Sequence, residues 1–306
     1  MDKPLYAAPL EGLTTWLWRR VHHGIFGGAD KYFTPFLSPN ANLSFQTKER
    51  REIEHNQGLP VVPQLLTNRA EYFVWAARTL RDMGYDEVNF NLGCPSGTVA
   101  AKHKGAGLLS WPEELDRCLE GIYSALPDMK VSVKTRIGRS DPAEWGQLLE
   151  IFNRYPISEL IVHPRVQKEF YTGQVHRDVF DWTRGHTALP LVYNGDLTAP
   201  EEVAACPVPA MTGRGLIRDP ALLRRARGGP PAAREELCRY HDALLEGYRS
   251  ALGDGPALHK MWELWAYLIG AFEDAEPYLK KMRKCRSTAA YAPLAAAVLR
   301  DCPLRW

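Results

Sequence analysis

Short apolar runs recur along the chain at roughly even intervals: Leu5–Leu10, Tyr32–Phe36, Val61–Leu66, Glu87–Leu92, Val131–Arg136, Leu160–Pro164, Leu189–Asn194 and Ala210–Gly213. Their length and residue content predict eight strands. Between most of them apolar residues return every three or four positions, the spacing of one helix face. Arg69–Met83 carries Tyr72, Trp75, Ala76, Thr79 and Leu80 on such a face, and Pro112–Leu126 carries Leu115, Leu119, Ile122 and Tyr123. Gly84 and Pro127 stop these two helices. Trp145–Phe152 and Pro200–Cys206 are shorter segments of the same kind, and Gln46–Glu54 reads as a charged helix after a loop at Ser38-Pro39-Asn40. Strand–helix alternation implies parallel strands, and eight such units predict an α/β fold closed as a (β/α)8 barrel, a TIM barrel. No GxGxxG run follows the first strand, where an open dinucleotide-binding sheet carries it.

The pattern breaks near Gly228-Gly229-Pro230-Pro231, a linker composition. Beyond it Glu235–Ala251, Ala257–Phe272, Tyr278–Cys285 and Pro293–Arg300 all read as helices, with no strand-like run. The expected organisation is a barrel over residues 1–228 and a small helical domain over 232–306. With 45% apolar and 24% charged residues the 306-residue chain has an ordinary globular composition. No apolar run approaches the ~18 residues of a spanning helix, and the first residues show no signal-peptide pattern. Six scattered cysteines with no CxxC pair argue against a disulfide framework and a zinc site. A cytoplasmic protein without metal or membrane partner is expected, and a monomer.

Formal charge is only +2, so clustering rather than excess would have to signal nucleic acid. Two clusters exist. Arg214, Arg218, Arg224, Arg225 and Arg227 precede the linker, and Lys280, Lys281, Arg283, Lys284 and Arg286 lie in the tail among Trp262, Trp265, Tyr267 and Tyr278. Such stripes contact phosphate backbones; the plainer reading is a solvated charged face over a helical core.

In a barrel, side chains at the C-terminal strand ends converge on one mouth. Here those ends read Pro9-Leu10-Glu11-Gly12, Gln64, Asn91-Leu92-Gly93-Cys94-Pro95, Lys134-Thr135-Arg136, His163-Pro164-Arg165, Asn194-Gly195-Asp196 and Gly213-Arg214-Gly215. Polar groups on apolar strands cost burial energy unless paired. A capped strand end explains any one of them; the set on one rim points to a site.

These segments resemble the tRNA-dihydrouridine synthase family, in the family's order, over roughly residues 5–220. The most specific run is Asn91-Leu92-Gly93-Cys94-Pro95; Val99 with Gly105 and Gly107, Ser132–Arg136, Val162–Arg165, Asn194–Asp196 and Gly213–Gly215 add weight in combination. The chain departs from the family at Leu10, where Met is usual, and at Pro164, where a small residue is usual. The helical tail matches the place of the family's RNA-binding domain without a sharp motif.

The resemblance implies an FMN-dependent reductase of the uridine C5–C6 double bond in tRNA, with NADPH as reductant, hydride from the flavin N5 and the proton from Cys94. A thiol with an unperturbed pKa of ~8.5 is mostly protonated at neutral pH and suits that role; a nucleophilic Cys is the competing role, and Cys118, Cys206, Cys238, Cys285 and Cys302 read as inert. The flavin phosphate and ribityl are expected at Asn194, Gly195, Asp196, Gly213 and Arg214, where glycines let a phosphate approach the backbone, with a helix opening at Asp219-Pro220. Pro9, Leu10 and Glu11 are expected along one ring edge. Gln64, Lys134 and His163 are expected as its polar contacts, Lys134 supplying the cation that a reduced ring needs. Asn91 is expected to pair with a uracil edge. Arg136 and Arg165 would bind the nucleotide or form ion pairs with Glu11 or Asp196. The stretch Ser96–Leu109, with Lys102, reads as a mobile flap over the substrate. Other readings are a flavin enzyme of free pyrimidines, a synthase acting on ribosomal RNA, and a flavin-free RNA-binding protein.

Overall fold

The computed structural model describes residues 3–306. Nine strands form one sheet: β1 (Leu5–Ala7), β2 (Lys31–Phe33), β3 (Val61–Val62), β4 (Gln64–Leu65), β5 (Glu87–Leu92), β6 (Lys130–Arg136), β7 (Leu160–His163), β8 (Leu191–Tyr193) and β9 (Ala210–Thr212). All pairings are parallel, in the order β3-β2-β1-β9-β8-β7-β6-β5-β4. The two ends of that order, β3 and β4, are one stretch of chain interrupted at Pro63, which has no N–H to give a ladder. The sheet therefore closes on itself, and the eight expected staves and the barrel are borne out.

Side chains alternate across a strand, and the register turns this into function. Asn89 pairs with Ser132 and Asn91 with Lys134. Glu87, Asn89 and Asn91 on β5 thus share a face with Ser132, Lys134 and Arg136 on β6. Val88, Phe90, Val131 and Val133 take the opposite face and are fully or almost fully buried. A barrel interior normally fills with apolar layers. Here Tyr6, Ala8, Phe33, Val62, Ile161, Val192 and Met211 form such a cluster, and the β4–β6 side is polar.

The helices Ala70–Asp82, Pro112–Ala125, Trp145–Phe152 and Pro200–Ala205 lie where the sequence puts them, within two residues at each end. A helix over Trp16–Ile25 was not expected. Thr15 caps it, and it buries Arg19 and His22 beside Leu17 and Trp18. The terminal nitrogens of Arg19 donate to Glu52 and Asn56, its Nε having no partner among the described residues, and His22 bonds Tyr32 and the Pro220 carbonyl. A helix over Arg177–Arg184 was not expected either. Chain also turns helical at Arg214–Arg218 and again at Leu222–Ala226, so no helix opens at Asp219.

Four helices follow Pro231: Arg234–Leu252, Asp254–Leu268, Glu276–Met282 and Thr288–Asp301. Their core contains Trp265, whose indole donates to Tyr291 Oη at 2.5 Å, with His241 Nε2 on the same hydroxyl at 2.6 Å. The bundle is pinned to the barrel. Trp18 Nε1 donates to Tyr240 Oη at 2.6 Å, Lys260 Nζ to the Gly12 carbonyl at 2.7 Å, and Arg218 Nε to the Gly270 carbonyl at 3.1 Å. No helix is long and apolar enough to cross a membrane among the described residues.

Candidate active site

A cavity of about 630 Å³ opens at the C-terminal strand ends, within the range of small-molecule sites. Pro9, Leu10, Gly93, Lys134, Arg136, His163, Asn194, Gly195, Asp196, Gly213 and Arg214 all line it. Sequence reasoning missed Tyr171 and, in the tail, Tyr267 and Gly270, which line it as well. Only the density of aromatic and glycine residues in Phe170-Tyr171-Thr172-Gly173 hinted at the first.

One half of the mouth is internally satisfied. From the barrel floor, Lys31 donates to Glu87, which accepts from Ser132 Oγ at 2.8 Å. Ser132 accepts from Asn89 Nδ2 at 3.0 Å, Asn89 Oδ1 from Gln64 Nε2 at 2.8 Å, and Gln64 Oε1 from Asn91 Nδ2 at 2.7 Å. Asn91 Oδ1 then accepts from the N–H groups of Gly93 and Cys94, at 3.1 and 3.0 Å. This column runs up the interior and ends by shaping the turn that carries Cys94. Gln64 is therefore an interior strut outside the cavity lining, and Asn91 spends its oxygen on the turn, keeping one amide N–H free.

Arg136 is fully buried and donates to the carbonyls of Gly93, Val166 and Phe170, at 3.1, 2.9 and 2.6 Å. It ties the Cys94 turn to the loop after β7. Arg165 takes the ion-pair alternative: both its terminal nitrogens reach Asp196, and Nε donates to the Gly173 carbonyl at 2.7 Å. Pro164 sits at the centre of a tight three-residue turn, with Arg165 N donating to the His163 carbonyl at 2.8 Å. Glu11 is paired with Lys48 at 2.6 Å and lies outside the cavity lining.

The other half has open donors. Asp196 holds a left-handed backbone at φ 43°, clamped by Arg165 and by Arg214 at 2.6 Å; this pairing keeps its carboxyl below the usual range. In the same cavity wall, the backbone N–H groups of Gly195, Asp196, Gly213 and Arg214 donate to no group among the described residues. A Cβ on Gly215 would sit 2.6 Å from the Leu197 carbonyl, so only glycine lets these two loops meet. Such convergent N–H groups suit an anionic oxygen.

Lys134 stands between the halves. It makes no salt bridge and no hydrogen bond among the described residues, and desolvation beside the Arg136 guanidinium pushes its ammonium down to about 7. His163 is held neutral by burial and by Arg136 and Lys134. Its Nε2 lies 3.3 Å from Arg165 Nη1, which leaves the ring proton on Nδ1. An ammonium that lines a cavity wall without a partner, its hydration reduced by the protein around it, fits an electron-rich ligand. The residues present therefore fit a flat ring with carbonyls against Lys134 and an anionic tail at the glycine loops, as FMN has.

Cys94 is half-buried, and burial raises its thiol above the ordinary value despite Arg136 and Lys134 nearby. Gly105 packs on it: a Cβ there would stand 2.9 Å from Cys94 Cβ, and Gly105 takes φ 56°. Ala106 N donates to the Cys94 carbonyl at 3.1 Å. Gly105–Leu109 are buried core, so the expected Ser96–Leu109 flap is anchored over that half. Ser96–Thr98 and the turn at Ala101-Lys102 are exposed, and the Lys102 carbonyl accepts from Asn68 Nδ2 at 3.3 Å.

The two basic clusters separate. Arg214 pairs with Asp196, Arg224 with Glu236, Arg225 with Asp219 and Arg227 with Asp30. Among the described residues Arg218 alone of the first cluster lacks a carboxylate partner. Lys280, Lys281, Arg283, Lys284 and Arg286 are all exposed and make no ion pair among the described residues.

Residues 6–289 match the family model described as dihydrouridine synthase (Dus). The chain is 26% identical over 274 residues to a probable tRNA-dihydrouridine synthase of Rhodobacter capsulatus, covering 83% of each chain. It is 29% identical over 237 residues to the tRNA-dihydrouridine(16) synthase of Ralstonia nicotianae, covering 73% of this chain and 72% of that one. It is 28% identical to tRNA-dihydrouridine synthase B of Yersinia pestis, over 78% of this chain and 72% of that one. Among solved structures, the old yellow enzyme from Trypanosoma cruzi superposes with a TM-score of 0.51 at 11% identity, covering 80% of this chain and 93% of that one, a likeness of fold. With a barrel closed at Pro63, a cysteine turn fixed by Asn91 and a family match spanning nearly the whole chain, the protein belongs to the dihydrouridine synthase family.

Proposed function

We propose that the chain is an FMN-dependent tRNA-dihydrouridine synthase that uses NADPH to reduce the C5–C6 double bond of a uridine in tRNA. The observation that carries this reading is Lys134, a half-buried ammonium with no partner among the described residues, in the cavity wall one strand from the Cys94 turn. Reduced FMN, when bound, supplies the hydride for C6. Lys134 and the Nδ1–H of neutral His163 orient the ring by its polar edge. The N–H groups of Gly195, Asp196, Gly213 and Arg214 hold its phosphate. Cys94 Sγ, kept protonated by burial, gives its proton to C5 as the C5–C6 π bond breaks, and the thiolate is reprotonated by water. Asn91 holds that thiol in place and offers its remaining N–H to the base.

Residues 1–228 and 232–306 divide the work in this reading. A uridine in folded RNA has to leave its stack, at a cost of a few kcal/mol. The unpaired run Lys280–Arg286 offsets that cost by gripping the phosphate backbone. The test is reconstitution with FMN, NADPH and unmodified tRNA. Dihydrouridine in the tRNA, formed with NADPH oxidation, supports the proposal. Reduction of free uracil or uridine instead of tRNA, or no flavin retention, refutes it.

A further inference from the structure

Phe170 follows β7 in the loop that supplies the cavity residue Tyr171. It is 47% exposed, among the most exposed large apolar residues of the protein. Its backbone sits at φ 48°, ψ −107°, a region that bulky residues rarely adopt. Glycine or asparagine is the ordinary occupant of such a turn. Local preference therefore opposes phenylalanine here, and no aromatic ring of the protein stacks on it among the described residues.

The turn is nonetheless bolted in place. Arg136 Nη2 donates to the Phe170 carbonyl at 2.6 Å, and Phe170 N donates to the Gln167 carbonyl at 3.2 Å. Gln167 Nε2 in turn donates to the Pro95 carbonyl at 2.9 Å, directly after Cys94. The same side chains that fix the catalytic turn thus fix the strained one. Two exposed cations without carboxylate partners adjoin it: Lys168, and Arg139, whose carbonyl accepts from Lys168 N at 3.0 Å. Of the neighbouring acids, Glu169 is spent on His176 at 2.8 Å and Glu144 on the backbone N–H groups of Arg139, Ser140 and Asp141. An exposed ring, rigidly presented at the mouth and flanked by free positive charge, matches a nucleobase and its phosphate.

We propose that Phe170 stacks on a nucleobase of the RNA substrate, the base left without a neighbour when the uridine enters the cavity. This rests on the function proposed above. Extruding a nucleotide breaks the stacking of the base beside it, and an aromatic face replaces that contact. Strain held at a functional turn is a known device, and here it aims the ring outward instead of letting it fold onto the barrel.

The test uses full-length, flavin-loaded enzyme and unmodified tRNA. Phe170→Gly relieves the backbone and is expected to melt no lower than wild type, with KM for tRNA raised roughly tenfold and kcat little changed. Phe170→Tyr keeps a stacking face and is expected to restore KM. Trp182→Ala removes an equally exposed aromatic away from the mouth and is expected to leave both parameters as they are. If wild type forms dihydrouridine and Phe170→Gly matches its KM, or Phe170→Tyr fails to rescue, the stacking role is overturned and the function proposal stands. If wild type reduces no uridine in any RNA, the function proposal fails and takes this one with it.

Discussion

The two halves of the barrel mouth are built on opposite principles. On the β4–β6 side nearly every polar group is spent inside the protein, in a column from Lys31 through Glu87, Ser132, Asn89, Gln64 and Asn91 to the Cys94 turn. On the β8–β9 side the N–H groups of Gly195, Asp196, Gly213 and Arg214 remain open, and Lys134 between the halves has no partner among the described residues. The first half holds a reactive atom still; the second waits for a ligand. A buried network that is fully satisfied specifies one geometry, whereas an unsatisfied group costs stability until something binds it.

Breaking the closed half at its reactive atom has the largest expected effect. Cys94→Ala removes no strut, so flavin retention and NADPH oxidation without RNA should persist. Dihydrouridine formation should fall ~10²–10⁴-fold, the usual worth of a general acid, measured by quantifying dihydrouridine in tRNA. Because burial raises the Cys94 thiol, wild-type turnover should hold through neutral pH and decline only on the alkaline side, above the ordinary thiol range.

Removing Lys134 breaks the open half. Lys134→Met should weaken FMN binding by at least tenfold, read by flavin fluorescence. The variant should also change stability in the opposite sense to most substitutions. In the ligand-free protein the lysine is depressed to about 7 from 10.5. Between those values the unfolded chain binds the extra proton, so stability rises with pH across that window and is lowest below it. Lys134→Met should flatten that rise and melt higher than wild type near pH 6, checked by thermal unfolding of apo-protein.

Asn91→Ala sharpens the comparison more gently. It strands the Gly93 and Cys94 N–H groups and Gln64 Oε1, costing ~1–3 kcal/mol in stability. Its signature is a lower kcat with flavin affinity kept, since none of its contacts reaches the glycine loops. The smallest effect belongs to the tail. Lys281→Ala with Lys284→Ala should raise KM for tRNA a few-fold and reduce the salt slope of binding by about 2. Arg225→Ala should leave that slope unchanged and instead destabilise the fold, because Arg225 is committed to Asp219 at 2.6 Å.

How far the sequence could be read follows the same division. Strands and major helices were legible because their apolar periodicity is local. The helix Trp16–Ile25 was not, since Arg19 and His22 occupy its buried face and break the apolar stripe; their partners Glu52, Asn56 and Tyr32 are set only by the fold. The mouth was legible as a set of residue types at strand ends. Which of them would spend their hydrogen bonds inward was legible only in part: the Arg165–Asp196 pair stood among the alternatives, whereas the inward bonds of Gln64 and Asn91 and the carbonyl contacts of Arg136 depend on strand register and loop path. The arginines at 224–227 are each paired with an acid, Arg225 with the nearby Asp219 and Arg224 with Glu236, whereas the partner of Arg227, Asp30, lies at the other end of the chain.

The most direct measurement is the proton count of FMN binding. Calorimetric titration of apo-protein in two buffers of different ionisation enthalpy, at pH 8, should show close to one proton taken up per FMN, because the ligand restores charge to Lys134. Lys134→Met should take up none. FMN binding with no proton uptake in wild type, or equal uptake in the variant, would contradict an unpaired lysine waiting at the mouth.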